Sequence, residues 1–241
     1  MPIPPDTGTA SVRLRFRLAG DRGLLVECGD AIDPAINDRV RALKALATRR
    51  PPAGVTELVP AYRSLLVIYD PLRTDPQQLM TAFTALGRQV RRMDIPAPKT
   101  VDIPVCYSDE FGPDIDFVAR HNKISVDDVI RQHTAPVYRI YMIGFAPGFA
   151  YLGGLPKSLH TPRLTSPRMA VPAGAVGIAN DQTGMYPVEI PGGWRIIGRT
   201  PLILFDPDRP EPVPYAAGDR IRFTAISRQR YRQIIHARGL I

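Results

Sequence analysis

The sequence contains few cysteines, histidines and lysines, and these shortages exclude several kinds of site. Cys28 and Cys106 end the apolar runs LLVEC and DIPVC, which predicts buried, reduced thiols rather than a disulfide or a nucleophile. The four histidines are widely separated in sequence, and none forms a helical pair with metal-ligand spacing. No metal site is therefore predicted. None of the lysines lies in an apolar stretch that would lower its pKa.

The motifs of several enzyme classes are missing as well. The sequence has no P-loop, no dinucleotide glycine fingerprint, no serine in a nucleophile elbow and no Ser-Lys amidase pattern. A hydrolase that works alone is hard to build from these residues. No apolar run approaches the roughly 18 residues of a membrane span, and the segment MPIPPDTGTA lacks the regions of a signal peptide. These features predict a soluble, cytoplasmic protein that does not bind membranes.

Positive charge and proline are abundant. The formal net charge is +8, but the arginines are spread along the chain without a cluster that alternates with aromatic residues. This favours an anionic small ligand or an acidic partner subunit over nucleic acid. The 26 prolines are dispersed among apolar segments, which is typical of turns and strand edges rather than disorder.

The first half of the chain predicts a small α+β domain over residues 12–107, after a flexible leader over 1–11. Asp-Pro pairs at 33–34 and 75–76 each combine a helix N-cap with proline at the first helical position. Apolar residues then recur at helical spacing. Strands are predicted around the two helices, the last of them over 101–105. The order strand, helix, two strands, helix, strand is that of a ferredoxin-like domain.

The second half predicts a β-barrel or sandwich. Residues 108–134 form a connector with two short helices, the second of which begins at a capping box of Ser125 and Asp128. From 135 to 241, short runs with β-branched residues alternate with Gly and Pro, and a C-terminal helix follows. Strands are predicted over 137–143, 175–179, 196–197, 202–205 and 221–223.

Two blocks in this half are long and uncommon: GFAPGFAYLGGLP over 144–156 and VPAGAVGIANDQTGMYPVEIPGGWRIIGRTPLILFDP over 171–207. Through them the chain resembles the B-type subunits of the bacterial ATP-dependent 5-oxoprolinase along essentially its whole length. That family was long named allophanate hydrolase subunit 1 and includes the sporulation kinase inhibitor of bacilli. It also corresponds to one half of the carboxyltransferase region of urea carboxylase. The resemblance implies a small α+β domain followed by a cyclophilin-like β-barrel.

The resemblance also implies a function. The chain would be a subunit, inactive alone, of a complex that converts 5-oxoproline to glutamate with ATP hydrolysis. Its partners would be a larger C-type subunit and an A-type subunit. ATP with Mg²⁺ would act in the complex, with no cofactor held tightly by this chain. Two alternatives stay open: a regulatory protein that inhibits a sensor histidine kinase, and a carboxyltransferase component of a urea carboxylase-like system.

The candidate site residues lie in or beside the Gly/Pro turns, where a rigid sheet presents side chains to a ligand. Amide, hydroxyl, phenol and guanidinium groups suit a small lactam or carboxylate. The alternative is that these groups bond to one another or to solvent. The catalytic candidates are Arg168, Gln182 and Arg199. The substrate-binding candidates are Thr183, Tyr186, Arg163, Pro172 and Gly174.

Aromatic residues and one histidine have two interpretations each. If exposed, Phe145, Phe149 and Tyr151 form a partner interface, and if buried they belong to the core. Trp194, the single tryptophan, either walls a pocket or plugs the barrel. His133 is either a general base or a satisfied polar group at a helix end.

Overall fold

The computed structural model of the chain describes residues 14–90 and 97–237. Its contacts divide the chain into two units, with the boundary between Pro96 and Ala97. The first unit contains a four-stranded antiparallel sheet and two helices. In chain order its elements are β1 (Arg15–Leu18), β2 (Gly23–Glu27), α1 (Pro34–Arg49), β3 (Val55–Pro60), β4 (Ser64–Tyr69) and α2 (Pro76–Gly87).

Both predicted Asp-Pro helix starts are confirmed. The Asp33 carboxylate accepts backbone hydrogen bonds at the start of α1 at 2.8 and 3.1 Å. The Asp75 carboxylate accepts one from the backbone N–H of Gln78 at 2.9 Å, at the start of α2. Each helix buries one apolar face against the sheet, which is what the spacing of its apolar residues predicts. The shared core contains Leu24, Val26, Val40, Leu43, Leu65, Val67, Leu79 and Phe83.

The strand predicted to close this sheet belongs to the second unit. The sheet order here is β1-β2-β4-β3, so β1 fills the edge beside β2. The predicted closing strand, β5 (Thr100–Val105), pairs in parallel with β13 (Arg220–Ala225). Alternating apolar residues show that a segment forms a strand, but they do not specify its partner. That part of the prediction is wrong, and the ferredoxin-like arrangement is not confirmed.

The second unit begins with β5 and contains the remaining helices and strands. Between β5 and β13 lie α3 (Ile115–Asn122), α4 (Val126–Thr134), β6 (Val137–Ile143), β7 (Ala150–Gly153), β8 (Arg168–Val171), β9 (Ala175–Ala179), β10 (Gln182–Met185), β11 (Ile190–Gly192) and β12 (Arg195–Arg199). Helix α5 (Arg228–His236) follows β13. The predicted capping box at Ser125 and Asp128 is present at the start of α4.

Seven strands form one sheet in the order β12-β9-β10-β7-β6-β13-β5. Its two edges approach each other at Cys106 and Arg199, whose backbone groups exchange hydrogen bonds of 2.9 and 3.0 Å. The sheet is therefore nearly closed into a barrel, an arrangement that fits a cyclophilin-like fold. Strands β8 and β11 form a separate two-stranded sheet. The barrel interior contains Ile103, Val105, Tyr138, Ile140, Leu152, Ile178, Ile197 and Phe223.

The strand predicted over 202–205 is absent, because that segment is irregular in the structure. Leu204 is buried in the barrel core, so the apolar run serves packing without joining a ladder. Among the described residues, no helix is long and apolar enough to span a membrane.

Candidate functional site

Four aromatic side chains cluster in the second unit. Phe149, Tyr186 and Trp194 are buried, and Tyr151 is half-buried. The ring centroid of Phe149 lies 4.9, 5.3 and 5.4 Å from those of Tyr151, Tyr186 and Trp194, each in an edge-to-face arrangement. This is the geometry that aromatic pairs prefer. Trp194 is therefore a core residue, and it also lines a cleft.

A cleft of about 310 Å³ opens over this cluster. Tyr151, Tyr186 and Trp194 form part of its wall, while Phe145 and Arg163 contribute exposed side chains to it. We call this site the aromatic cleft. Gly192 also lines it, and a Cβ there would lie 2.4 Å from the Tyr186 hydroxyl. Glycine is thus required at position 192 if Tyr186 is to keep its place.

Arg163 is the cationic group of the aromatic cleft. Its guanidinium carbon lies 6.0 Å from the Trp194 ring centroid, at the outer limit of a cation–π contact. Burial raises the pKa of both Tyr151 and Tyr186, and the charge of Arg163 opposes this shift. Both phenols are therefore neutral at physiological pH, and the Tyr186 oxygen accepts a hydrogen bond from the Trp194 backbone N–H.

Arg168, a catalytic candidate, is bound within the fold. Its Nη2 donates to Asp114 Oδ1 at 2.9 Å, and its Nη1 donates to the Trp194 carbonyl at 3.4 Å. The second oxygen of Asp114 accepts the backbone N–H of Ile196 at 2.7 Å. Asp114 is 6% exposed, so it is a buried link between the start of α3, β8 and β12. The sequence offered no signal for this role of Asp114.

Arg199 lies in a different place, a groove of about 710 Å³. Its Nε donates to the Ala173 carbonyl at 2.8 Å. The neighbouring Gly174 has φ +82°, and a Cβ there would lie 2.4 Å from the Thr200 carbonyl oxygen, so this turn requires glycine. Exposed Pro172 precedes it. The structure thus brings three predicted site residues, Pro172, Gly174 and Arg199, into one turn region.

Gln182 and Arg199 lie at opposite ends of strand β9. Gln182 is opposite Ala179 in the ladder, whereas Arg199 is opposite Ala175. With about 3.3 Å of rise per residue, the two levels are roughly 13 Å apart. The three catalytic candidates therefore do not converge on one point.

Thr183 is fully buried in a hydrogen-bonded chain inside the barrel. Its hydroxyl donates to the Gly177 carbonyl at 3.0 Å and lies 2.9 Å from His133 Nε2. Because the single hydroxyl proton is used on Gly177, Nε2 must be the donor and His133 carries its proton there. Nδ1, 2.8 Å from the Tyr107 hydroxyl, then accepts from Tyr107. Burial lowers the pKa of His133 to about 3.

These contacts assign His133 and Thr183 to the barrel interior. Both ring nitrogens of His133 are occupied, and the side chain is fully buried among Tyr107, Tyr138 and Phe223. The satisfied-polar interpretation of His133 therefore agrees with the structure better than a general base. A substrate could reach Thr183 only if the barrel opened.

The three predicted interface residues differ in exposure. Phe149 is 1% exposed and belongs to the core, whereas Phe145 is 65% exposed and Tyr151 is half-buried. Phe145 also has φ +68°, a left-handed conformation that is costly for a bulky side chain. Phe145, exposed in a strained turn at the mouth of the aromatic cleft, is therefore a candidate contact with a partner subunit. Phe149 lies in the core and supports it from below.

Within residues 14–90 and 97–237, no group of three or more His, Cys, Asp or Glu side chains is positioned to hold a metal ion.

The model of the family described as carboxyltransferase domain, subdomain C and D, matches residues 14–215, and the chain belongs to this family. The protein named as the B-type subunit of 5-oxoprolinase in Bacillus subtilis (strain 168) is 42% identical over 231 residues, covering 92% of this chain and 96% of that protein. The protein of the same name from Escherichia coli O157:H7 is 38% identical, with 88% and 95% covered. The resemblance seen over 144–156 and 171–207 is thereby confirmed.

Solved structures share the fold. The crystal structure of TTHA0988 has a TM-score of 0.75 and 36% identity, with 86% of this chain covered. This chain spans about 40% of the length of that one. The Kluyveromyces lactis urea carboxylase also has a TM-score of 0.75, over 92% of this chain and 22% of that one, but at 21% identity it shows the fold alone.

Proposed function

We propose that this chain is one component of an ATP-dependent 5-oxoprolinase, a complex that opens the cyclic amide of 5-oxoproline to give glutamate. The observation that carries the proposal is identity of 38–42%, over most of both chains, to two proteins named as B-type subunits of 5-oxoprolinase. Such identity over nearly complete lengths favours a common role. Their names favour an assembly with other subunits, which we take to be a larger C-type and an A-type subunit in the cytoplasm.

Neither the aromatic cleft nor the groove beside Arg199 suits ATP with its metal ion. A triphosphate needs several cationic groups or backbone N–H donors together. The aromatic cleft presents one guanidinium, that of Arg163, among aromatic and proline side chains. In the groove beside Arg199, two arginines are accompanied by two glutamates. We therefore assign no ATP-dependent step to this chain and expect the nucleotide on another subunit.

The aromatic cleft is the place we propose for the organic substrate. Its volume of about 310 Å³ is at the small end of ligand pockets, which run from roughly 300 to 1,000 Å³. Aromatic walls accept a small ring, and the Tyr186 hydroxyl, whose oxygen accepts from the Trp194 backbone N–H, keeps its proton to donate to a polar ring edge. This chain would then bind and orient the lactam in a cleft that a larger subunit completes.

Reconstitution of the three subunits tests the proposal. We expect ATP-dependent release of glutamate from 5-oxoproline by the full complex, and none when this chain is omitted. Gln182→Ala and Arg199→Ala remove polar groups at opposite ends of β9. If each group contacts a charged partner, kcat/KM falls about 10-fold to 100-fold per variant, from roughly 1.5–3 kcal/mol per hydrogen bond.

A matched control is Arg222→Ala, which removes an exposed arginine of the same unit that pairs with Asp102. This variant should keep wild-type activity. Wild-type activity in both Gln182→Ala and Arg199→Ala would move those residues to structural roles. A well-formed complex that does not act on 5-oxoproline would contradict the proposed function itself.

A further inference from the structure

Backbone hydrogen bonds hold the chain in place both before and after Arg163. Before it, Thr161 and Asn180 form a β-bridge with hydrogen bonds of 2.7 and 3.1 Å. After it, the N–H of Leu164 donates to the Gly193 carbonyl at 2.8 Å. Arg163 therefore projects from a segment fixed to two strand ends, and binding a ligand would require ordering of its side chain only. Such preorganisation lowers the entropic cost of binding.

The side chain of Arg163 is exposed, and its guanidinium makes no hydrogen bond or ion pair with any part of the chain that the structure describes. The other two candidate arginines differ in this respect. Arg168 is bound to buried Asp114, and Arg199 donates to a backbone carbonyl. Arg163 thus keeps its planar set of donors beside the indole of Trp194, where an arriving anion would meet them.

The chemistry of the aromatic cleft then specifies a ligand class. A guanidinium binds a carboxylate through two parallel hydrogen bonds, a geometry that lysine does not reproduce. Tyr151 and Trp194 line the cleft with aromatic surface against which a small ring can pack, and the neutral Tyr186 hydroxyl keeps its proton to donate to an amide carbonyl. With a volume of about 310 Å³, the site has room for one small molecule. A small cyclic amide that carries a carboxylate combines all three features.

We propose that Arg163 is the specificity-determining residue of the aromatic cleft, binding the carboxylate of 5-oxoproline while the lactam ring packs against Trp194 and Tyr151. The proposal rests on the proposed function, because it takes 5-oxoproline as the substrate. It goes further by naming the group that is recognised and the residue that recognises it. It also predicts that cyclic amides without a carboxylate bind without help from Arg163.

Trp194 supplies a direct readout, since it is the single tryptophan of the chain and lines the cleft. Its fluorescence can be titrated with 5-oxoproline and with 2-pyrrolidone, the same ring without the carboxylate. We expect Arg163→Gln to weaken 5-oxoproline binding about 10-fold to 100-fold, the range for a hydrogen bond to a charged group. Binding of 2-pyrrolidone should change less than about threefold. Arg163→Lys should restore part of the loss, because it returns the charge without the planar fork.

The reconstituted complex gives a second readout. In Arg163→Gln, KM for 5-oxoproline should rise by the same factor as the dissociation constant, while kcat stays within about threefold of wild type. Arg222→Gln serves as the matched control, an exposed arginine of the same unit away from the cleft. Unchanged thermal unfolding midpoints show that both variants are folded.

The outcomes separate the two proposals. Equal binding of 5-oxoproline by wild type and Arg163→Gln, or no binding by the wild-type chain and complex, would overturn the role of Arg163. An active complex in either case leaves the proposed function standing, with the substrate bound elsewhere. Arg163-dependent binding in a complex that does not turn over 5-oxoproline would support the cleft assignment and overturn the proposed function.

Discussion

Gly177 and Gly184 lie directly opposite each other across strands β9 and β10, and the Trp194 side chain lies against both. A Cβ at Gly177 would be 3.1 Å from the Trp194 Cβ, and one at Gly184 would be 3.0 Å from Trp194 Cζ3. The paired glycines therefore provide a flat place on the sheet for the indole. Because neither glycine has a side chain, the indole of Trp194 can lie against the sheet, and this sets the position of the cleft wall that Trp194 forms.

Gly184→Ala should destabilise the barrel unit by about 1–3 kcal/mol, the usual cost of an added methyl group in a packed core. The added Cβ would also approach the backbone carbonyl oxygen of Ala150 at 3.0 Å, which cannot easily move. Chemical denaturation measures the loss, and a changed Trp194 emission reports the displaced ring. The control is Gly193→Ala, whose Cβ would meet nothing closer than 3.7 Å. Equal losses in the two variants would contradict this account.

Asp114→Asn should cost about 1.5–3 kcal/mol, the range for a hydrogen bond to a charged group, because Asp114 is buried while the Arg168 side chain is 31% exposed. The substitution leaves the guanidinium of Arg168 without its carboxylate and weakens the link to the backbone of Ile196. Asp102→Asn breaks the exposed pair with Arg222 and should leave the unfolding midpoint nearly unchanged. A small effect of Asp114→Asn in urea denaturation would show that this pair contributes little to stability.

His133 should make the barrel less stable as the pH falls below about 6.5. Burial lowers its folded-state pKa to about 3, so between these values the unfolded chain binds a proton that the folded chain does not. The free energy of unfolding then decreases by about 1.4 kcal/mol for each pH unit. Above pH 6.5 both states are neutral, and this contribution is constant.

Urea denaturation at pH 7, 6 and 5 measures this contribution, with His133→Gln as the comparison. The variant is expected to be less stable at pH 7, because it interrupts the series of hydrogen bonds that runs from Tyr107 through His133 to Thr183. Its stability should nevertheless depend less on pH than that of the wild type. Parallel curves for the two proteins would show that the pKa of His133 is the same in the folded and the unfolded chain, and would contradict this account.

Phe145→Asn should stabilise the isolated chain by about 1 kcal/mol, because asparagine adopts a positive φ more easily than phenylalanine. If the exposed ring contacts a partner subunit, the same variant should weaken assembly of the complex. Lys123→Gly is the matched control, since Lys123 also has a positive φ, at the end of α3. It should stabilise without affecting assembly. Assembly of wild-type strength in Phe145→Asn would remove Phe145 from the interface.

Local signals in the sequence were sufficient for the helices. Asp33, Asp75 and Ser125 each begin a helix where a capping residue precedes an apolar periodic segment, and their side chains make the expected bonds. These interactions involve residues two or three positions apart, so the sequence contains all the information they need. The two long motif blocks likewise identified the family.

Local signals did not show which strands pair or which charged groups meet. The segment over 101–105 was recognisable as a strand, but its pairing with β13 joins residues far apart in the chain. In the sequence, Arg168 and Arg163 are both arginines directly after a proline. Only the fold shows Asp114 beside the first and an open aromatic cleft beside the second.

The sequence alone thus determined the helix starts, the β-rich second half and the family. Tertiary structure decided which strand closes the barrel, that Thr183 and His133 lie inside it, and that Gln182 and Arg199 stand at opposite ends of β9. The reason is physical. Caps and periodic faces depend on neighbours within a few residues, whereas burial, ion pairing and convergence on a site depend on which distant segments pack together.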